Sequence, residues 1–208
     1  DISDAGQLLE RFGFNGVVRA GKGKLEGQMT WRGSPLAMNY PTLAGQFNIN
    51  VDNGQFLKVE PGIAKLLSIL SMQSIAKRLT FDFRDVFSEG FVFDFLRGDV
   101  AIARGLATTN NMQISGVNAV ILLDGISDIA AGTQDIRVVY APEVNAGVAS
   151  LLVASAINPA IGIGTFLAQL FLRQPLIEAV TKEFKVSGTW ADPVVAEVKR
   201  TPRADVKK

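Results

Sequence analysis

Histidine and cysteine are both absent from this 208-residue chain. Their absence excludes Ser-His-Asp and Cys-His nucleophiles, imidazole or thiolate zinc sites, and disulfides. A cysteine-free chain suits an oxidising compartment. Strong charge of either sign is missing too. The formal net charge is +1 with 20% charged residues, which speaks against nucleic acid as a partner. No cofactor is implied by any motif. Basic residues concentrate only in Lys199–Lys208, five against one acid, and this end reads as a solvated tail. Asp1 follows no methionine or leader, so the expectation is an excised piece whose targeting sequence lies elsewhere.

What is present is a strand pattern. Short runs of alternating apolar residues dominate the first 60 residues and the stretch from 79 to 141. A motif recurs in which apolar residues flank a glycine at every second position. It reads Leu25-x-Gly27-x-Met29-x-Trp31, Leu43-x-Gly45-x-Phe47-x-Ile49, Leu96-x-Gly98-x-Val100-x-Ile102 and Ile114-x-Gly116, with an echo in "VSGTW" at 186–190. Period-two alternation gives each strand one apolar face. Glycine inside a strand marks a bend or bulge, and repeated bends curl a sheet. The expected fold is a long, curved, mostly antiparallel sheet built by repetition; the alternative is an ordinary sandwich with incidental glycines.

Two stretches break the strand pattern. Residues 61–79, "PGIAKLLSILSMQSIAKRL", open with Pro61 and close on Lys77 and Arg78, suiting a helix start and end. Their apolar residues spread around the cylinder, which predicts an enclosed helix. From Val144 to Leu172 there are 29 consecutive uncharged residues, long enough to make a membrane span a candidate. Pro159, Gly162 and Gly164 cut that run. The reading is two or three short helices, at 143–157, 163–173 and 175–183, packed in or capping the groove or lying on a membrane surface. A re-entrant hairpin is the alternative.

The segment "RLTFDFRDVFSEGFVFDFLRGD" (78–99) packs six phenylalanines and five acidic residues into 22 positions. With strands at 79–85 and 91–97, Leu79, Phe81 and Phe83 share one face, and Phe91, Phe93 and Phe95 share another; Asp82, Arg84 and Asp94 point away. A glycosidase needs two carboxylates about 5–10 Å apart across a polar cleft, and nothing here builds one. The segment is read as an apolar wall, and the chain as no enzyme. Sheltering a 16-carbon acyl chain takes on the order of 13 kcal/mol at about 0.8 kcal/mol per methylene. A greasy trough supplies that without any catalytic group.

The candidate lipid contacts are therefore Phe81, Phe83, Phe91, Phe93 and Phe95 on the sheet, with Leu66, Leu70, Ile161, Phe166, Leu170 and Phe171 on the helices. The competing reading of each is plain core packing. Arg173, Lys182 and the tail bases are candidates for anionic headgroups, against ordinary solvated decoration. Trp31 and Trp190 suit a membrane interface by type but sit in strand patterns that favour the core.

Three stretches carry a family resemblance: "LLSILSMQSIAKRLTFDFRDVFSEGFVFDFLRGDVAIARGLATT" (66–109), "GVNAVILLDGISDIAAGTQDIRVVYAP" (116–142) and "KVSGTWADPVV" (185–195). They resemble the C-terminal portion of the AsmA-like family, its YhdP-type members most closely. The chain departs from the family pattern at 116–119, where "GVNA" replaces "GPAA", which touches one turn. The resemblance implies an α+β segment in which apolar helices accompany a β-groove. Its parts would be β-repeats at 1–60, a helix at 61–79, a curved sheet at 79–141, helices at 143–183, a closing strand at 184–195 and the basic tail at 196–208. It also implies a periplasm-spanning bridge for phospholipid, anchored in the inner membrane of a Gram-negative bacterium, with this piece nearest the outer membrane. The implied partners are phospholipid and either the outer-membrane inner leaflet or an outer-membrane or periplasmic protein. The rival is a docking module that contacts such a protein through its helices.

Overall fold

The computed structural model describes residues 1–57, 90–117, 119–142, 157–173 and 175–198. Eight strands form one open antiparallel sheet in simple sequence order. They are β1 (Val18–Thr30), β2 (Ala44–Phe56), β3 (Phe91–Ala103), β4 (Leu106–Gly116), β5 (Ala119–Asp128), β6 (Thr133–Pro142), β7 (Lys182–Thr189) and β8 (Pro193–Glu197). Three described α-helices accompany them, α1 (Ala5–Arg11), α2 (Gly162–Arg173) and α3 (Pro175–Val180), with a 3-10 turn at Tyr40–Thr42.

Each strand lies beside its sequence neighbour, so short hairpin turns suffice to connect most pairs. The β3–β4 turn shows how tightly this is specified: Arg104 and Gly105 both have positive φ, 53° and 77°, as a two-residue type I′ hairpin demands. Gly105 is the residue built for that conformation, whereas Arg104 adopts it at a steric cost.

The register sorts side chains onto two faces. Leu25, Ile49, Gly98 and their partners fall on one face; Lys24, Asn50 and Arg97 fall on the other. The apolar face holds a buried cluster with Val51, Phe91, Phe93, Ile121, Val138, Tyr140, Phe184 and Val186. The second face is polar over β1–β3 but carries a separate buried cluster over β5 and β6, formed by Val120, Leu122, Val139 and Ala141.

Local irregularities cross β1, β2 and β3 at one level. Register pairs run from Ala20↔Gly54↔Phe93 directly to Lys22↔Asp52↔Phe95, passing over Gly21, Asn53 and Asp94. Against β4 the extra residue Asp94 is a bulge, because Phe93 faces Gly116 while Phe95 faces the very next residue, Ser115. An inserted residue swaps the face of everything beyond it. Phe91 and Phe93 therefore share the apolar face with Leu96, and Phe95 does not. This corrects the expectation that Phe91, Phe93 and Phe95 line one wall.

The helices bring two further corrections. Residues 5–11, expected within strand repeats, form α1. Asp4 caps it by accepting a 3.0 Å hydrogen bond from the backbone N–H of Gln7. Ala5 and Leu9 of this helix pack into the apolar-face cluster beside Val18. By contrast α2, expected in or over the groove, lies on the opposite face: Ile163 and Leu167 are buried against Val120, Leu122 and Val139. The expected helix at 175–183 is α3, which ends at Val180 before β7 begins. The expected closing strand is two strands, β7 and β8. The helices expected at 61–79 and 143–157, apart from Ile157, and the strand at 79–85 lie outside the described residues. Among the described residues, no helix is long and apolar enough to cross a membrane.

Candidate functional site

From β1 to β6 the apolar face carries no charged side chain at any paired strand position. Its residues include Leu25 and Met29 on β1, Phe47, Ile49 and Val51 on β2, and Leu96, Val100 and Ile102 on β3. Met112 and Ile114 on β4, Ile121 and Leu123 on β5, and Ile136 and Val138 on β6 continue the surface, which takes in the uncharged polar residues Thr109, Ser127 and Gln134 toward the turns. Gly27, Gly45, Gly98 and Gly116, the glycines of the repeat, fall on this face together with Gly23 and keep it low.

Burial is graded along the strands. At the end holding Phe91, Phe93, Ala119 and Tyr140 the side chains are buried. The rings of Phe56 and Phe93 stack tilted with centroids 5.1 Å apart. This packing is close enough that a Cβ at Gly54 would collide with the ring of Phe93, and one at Gly116 with that of Phe91. Toward the hairpin turns the same face opens: Leu25 is 44% and Met29 36% exposed, while Phe47, Ile49, Val100, Ile102, Leu123 and Ile136 are half-buried. An apolar surface of this breadth, partly open, marks a site that holds apolar matter or docks it.

The opposite face binds itself together with polar contacts. Arg137 grips Asp124 with two charge-assisted bonds of 2.7 and 2.8 Å, and Glu183 stands 3.7 Å away. The Asp124 hydrogen bond holds the Arg137 guanidinium above its ordinary pKa. Arg97 lies 4.1 Å over the ring of Phe95 and donates from Nε and Nη2 to Gln113, both at 3.2 Å. Partial burial there lowers its pKa. Phe95 thus serves as a platform for a cation on the polar face rather than as trough lining.

The attachment of α2 starts from a second bulge. On β4 the residues Asn110 and Asn111 together oppose the single Asp124 between the Thr109↔Gly125 and Met112↔Leu123 pairs. The buried Asn111 accepts from the Asp99 backbone N–H at 2.9 Å and donates to Asp99 Oδ2 at 2.7 Å and to the Ile157 carbonyl at 3.2 Å. Asn110 donates to the Pro159 carbonyl at 2.7 Å. These bonds pin residues 157–159 to the sheet and aim α2 across β5.

Of the sequence-predicted contacts, Phe91 and Phe93 sit together on the apolar face. Phe166, Leu170 and Phe171 pack against the α2-covered cluster on the other face, and Ile161 is 50% exposed in the turn before α2. Phe81, Phe83, Leu66 and Leu70 lie outside the described residues. Trp31 is half-buried, and Trp190 lies over the β5–β6 turn, donating to Ser127 Oγ at 3.0 Å. Sequence reasoning missed the open half of the apolar face, Phe47, Ile49, Val100, Ile102, Leu123 and Ile136. Its signal was in the glycine motif itself, which contains four of them.

Fold and surface together define a class: an open antiparallel meander with one broad, charge-poor apolar face. The chain belongs to the YhdP family, whose model matches residues 1–195. It is 30% identical over 197 residues to the protein named "Intermembrane phospholipid transporter YhdP" of Escherichia coli strain K12, an alignment covering 94% of this chain and 16% of that protein, in its C-terminal part. The chain thus spans about a sixth of the length of that relative. No solved structure matches it.

Proposed function

We propose that this segment shelters the acyl chains of phospholipid on the apolar face of its sheet, as the terminal portion of a lipid-transfer bridge across the periplasm. The observation that carries this reading is the run of six strands, β1 to β6, whose paired apolar-face positions carry no charge and which open toward the hairpin turns. A tail lying there is kept from water by hydrocarbon on one side, at about 25 cal/mol per Å² of apolar area covered. No proton transfer or nucleophile is needed, so the reading is of a non-catalytic carrier. Its cargo and its setting between two membranes are carried over from the relative's name. Anchorage of the whole protein in the inner membrane and delivery toward the outer membrane complete the proposal.

The test uses photocrosslinking side chains on opposite faces of one strand. With the probe at Phe47, on the apolar face, phospholipid adducts are expected in intact cells and in gently purified protein. At Gln46, on the polar face, they are not. Protein adducts alone at Phe47 would instead support a docking module, and equal lipid labelling at both positions would remove the face-specific claim. Mass spectrometry of detergent-free protein is expected to find co-purified phospholipid.

A further inference from the structure

At its β7–β8 end the apolar face carries an ion pair between Lys182 and Glu197. Lys182 is the register partner of Tyr140, so it points to the same side as Phe184 and Val186. Glu197 is the partner of Phe184 and points there too. Their Nζ and Oε1 atoms are 3.9 Å apart, with side chains 33% and 36% exposed. Among the described residues these are the only charged strand positions on the apolar face. They occupy its last two strands.

A pair this long and this exposed contributes little to stability, on the order of 0–1 kcal/mol. Folding alone gives weak reason to place it beside Tyr140 and Phe184, where each charge is partly desolvated. The arrangement does match one ligand chemistry. A cation and an anion side by side at the end of an oily surface complement a headgroup that itself carries a phosphate and an ammonium. We infer that Lys182 and Glu197 form a headgroup site for a zwitterionic phospholipid. Lys182 donates to the phosphate, Glu197 accepts from the ammonium, and the acyl chains run back over the half-buried Val195 and Ile136, which share this face. This rests on the lipid-carrying reading above. A purely anionic headgroup satisfies Lys182 but meets the carboxylate of Glu197 at close range, so it is disfavoured.

The experiment incubates the full chain with vesicles of equal parts phosphatidylethanolamine and phosphatidylglycerol and weighs bound lipid by mass spectrometry. The parent protein is expected to enrich the zwitterionic lipid about tenfold, the factor that one charged contact supplies. Glu197→Gln is expected to bring the ratio near parity with total lipid retained, and Lys182→Gln to lower retention of both lipids. Glycerophosphoethanolamine, which offers the headgroup without tails, is expected not to displace bound lipid; displacement would show that the site serves a free phosphate ester and overturn the lipid assignment. Equal uptake of the two lipids by the parent protein overturns the inference without need of any variant. So does an unchanged ratio in a folded Glu197→Gln variant, which would leave only a structural ion pair. If the parent protein takes up no lipid at all, the carrier reading itself fails.

Discussion

Leu122 and Leu123 are consecutive residues of β5, yet they belong to different worlds. Leu122 is 1% exposed and sits in the cluster that α2 seals with Ile163 and Leu167. Leu123 turns to the other side, half-buried in a face that continues from strand to strand across the sheet. Both surfaces are apolar, so hydrophobicity alone does not separate core from site. Extent and cover do. The patch around Leu122 is confined to β5 and β6 and has its own lid, pinned by Asn110 and Asn111; beyond it that face turns to Asp124–Arg137 and Arg97–Gln113 contacts. The surface around Leu123 runs the width of the sheet, and its one described helix, α1, packs beside Val18 at the β1 end.

The sharpest way to break this comparison is to truncate each leucine in turn. Leu122→Ala is expected to cost about 3 kcal/mol, the usual range for a sealed core leucine, seen as a lower denaturation midpoint with no specific change in bound lipid per folded molecule. Leu123→Ala is expected to cost about 1 kcal/mol, because its side chain is already partly exposed, and to lower lipid retention out of proportion to that loss. Equal destabilisation with equal lipid effects would erase the distinction between the faces.

A second test asks whether the lid is held as described. Asn111→Ala removes three hydrogen bonds and deprives the Asp99 carboxylate and backbone N–H and the Ile157 carbonyl of a partner. The expected cost is about 2 kcal/mol, with faster proteolysis around residues 157–161 than in the strands. Lipid adducts at Phe47 should persist, since that residue is on the other face. Loss of those adducts in a folded Asn111→Ala variant would mean that the two faces are coupled.

Much of the sheet was legible because alternation is a local signal. The glycine motifs named the strands and even the correct face for Leu25, Phe47, Ile49, Val100 and Ile102. The error at Phe95 was readable too. Phe91 and Phe93 fix the odd positions of β3 as apolar, while Leu96-x-Gly98-x-Val100-x-Ile102 fixes the even ones. Both hold in one strand only if an extra residue lies between, and Asp94 is that residue. The position of α2 was harder, since a uniformly apolar run states that a helix is buried without stating against what. Its partner left a trace in the unbroken runs Val120–Leu123 and Val138–Ala141, where alternation stops because both faces of the sheet are covered. The Lys182–Glu197 pair depends on the β7–β8 register, which no local pattern discloses.

The smallest predicted effect concerns the closed end of the apolar face. Tyr140 is buried there, and burial pushes its phenol up to about 12 from an ordinary value near 10. The raised value means that the folded state keeps its proton when the unfolded chain has begun to lose it. The stabilising contribution is therefore complete below about pH 10 and is lost as pH climbs toward about 12. Tyr140→Phe has no proton to lose. The difference in melting temperature between parent and variant should stay constant up to about pH 9, then move in favour of the variant through the window from 10 to 12. A difference that stays flat across that window would mean the phenol meets water in the folded state, and that the closed end of the face is as open as the end near Leu25 and Met29.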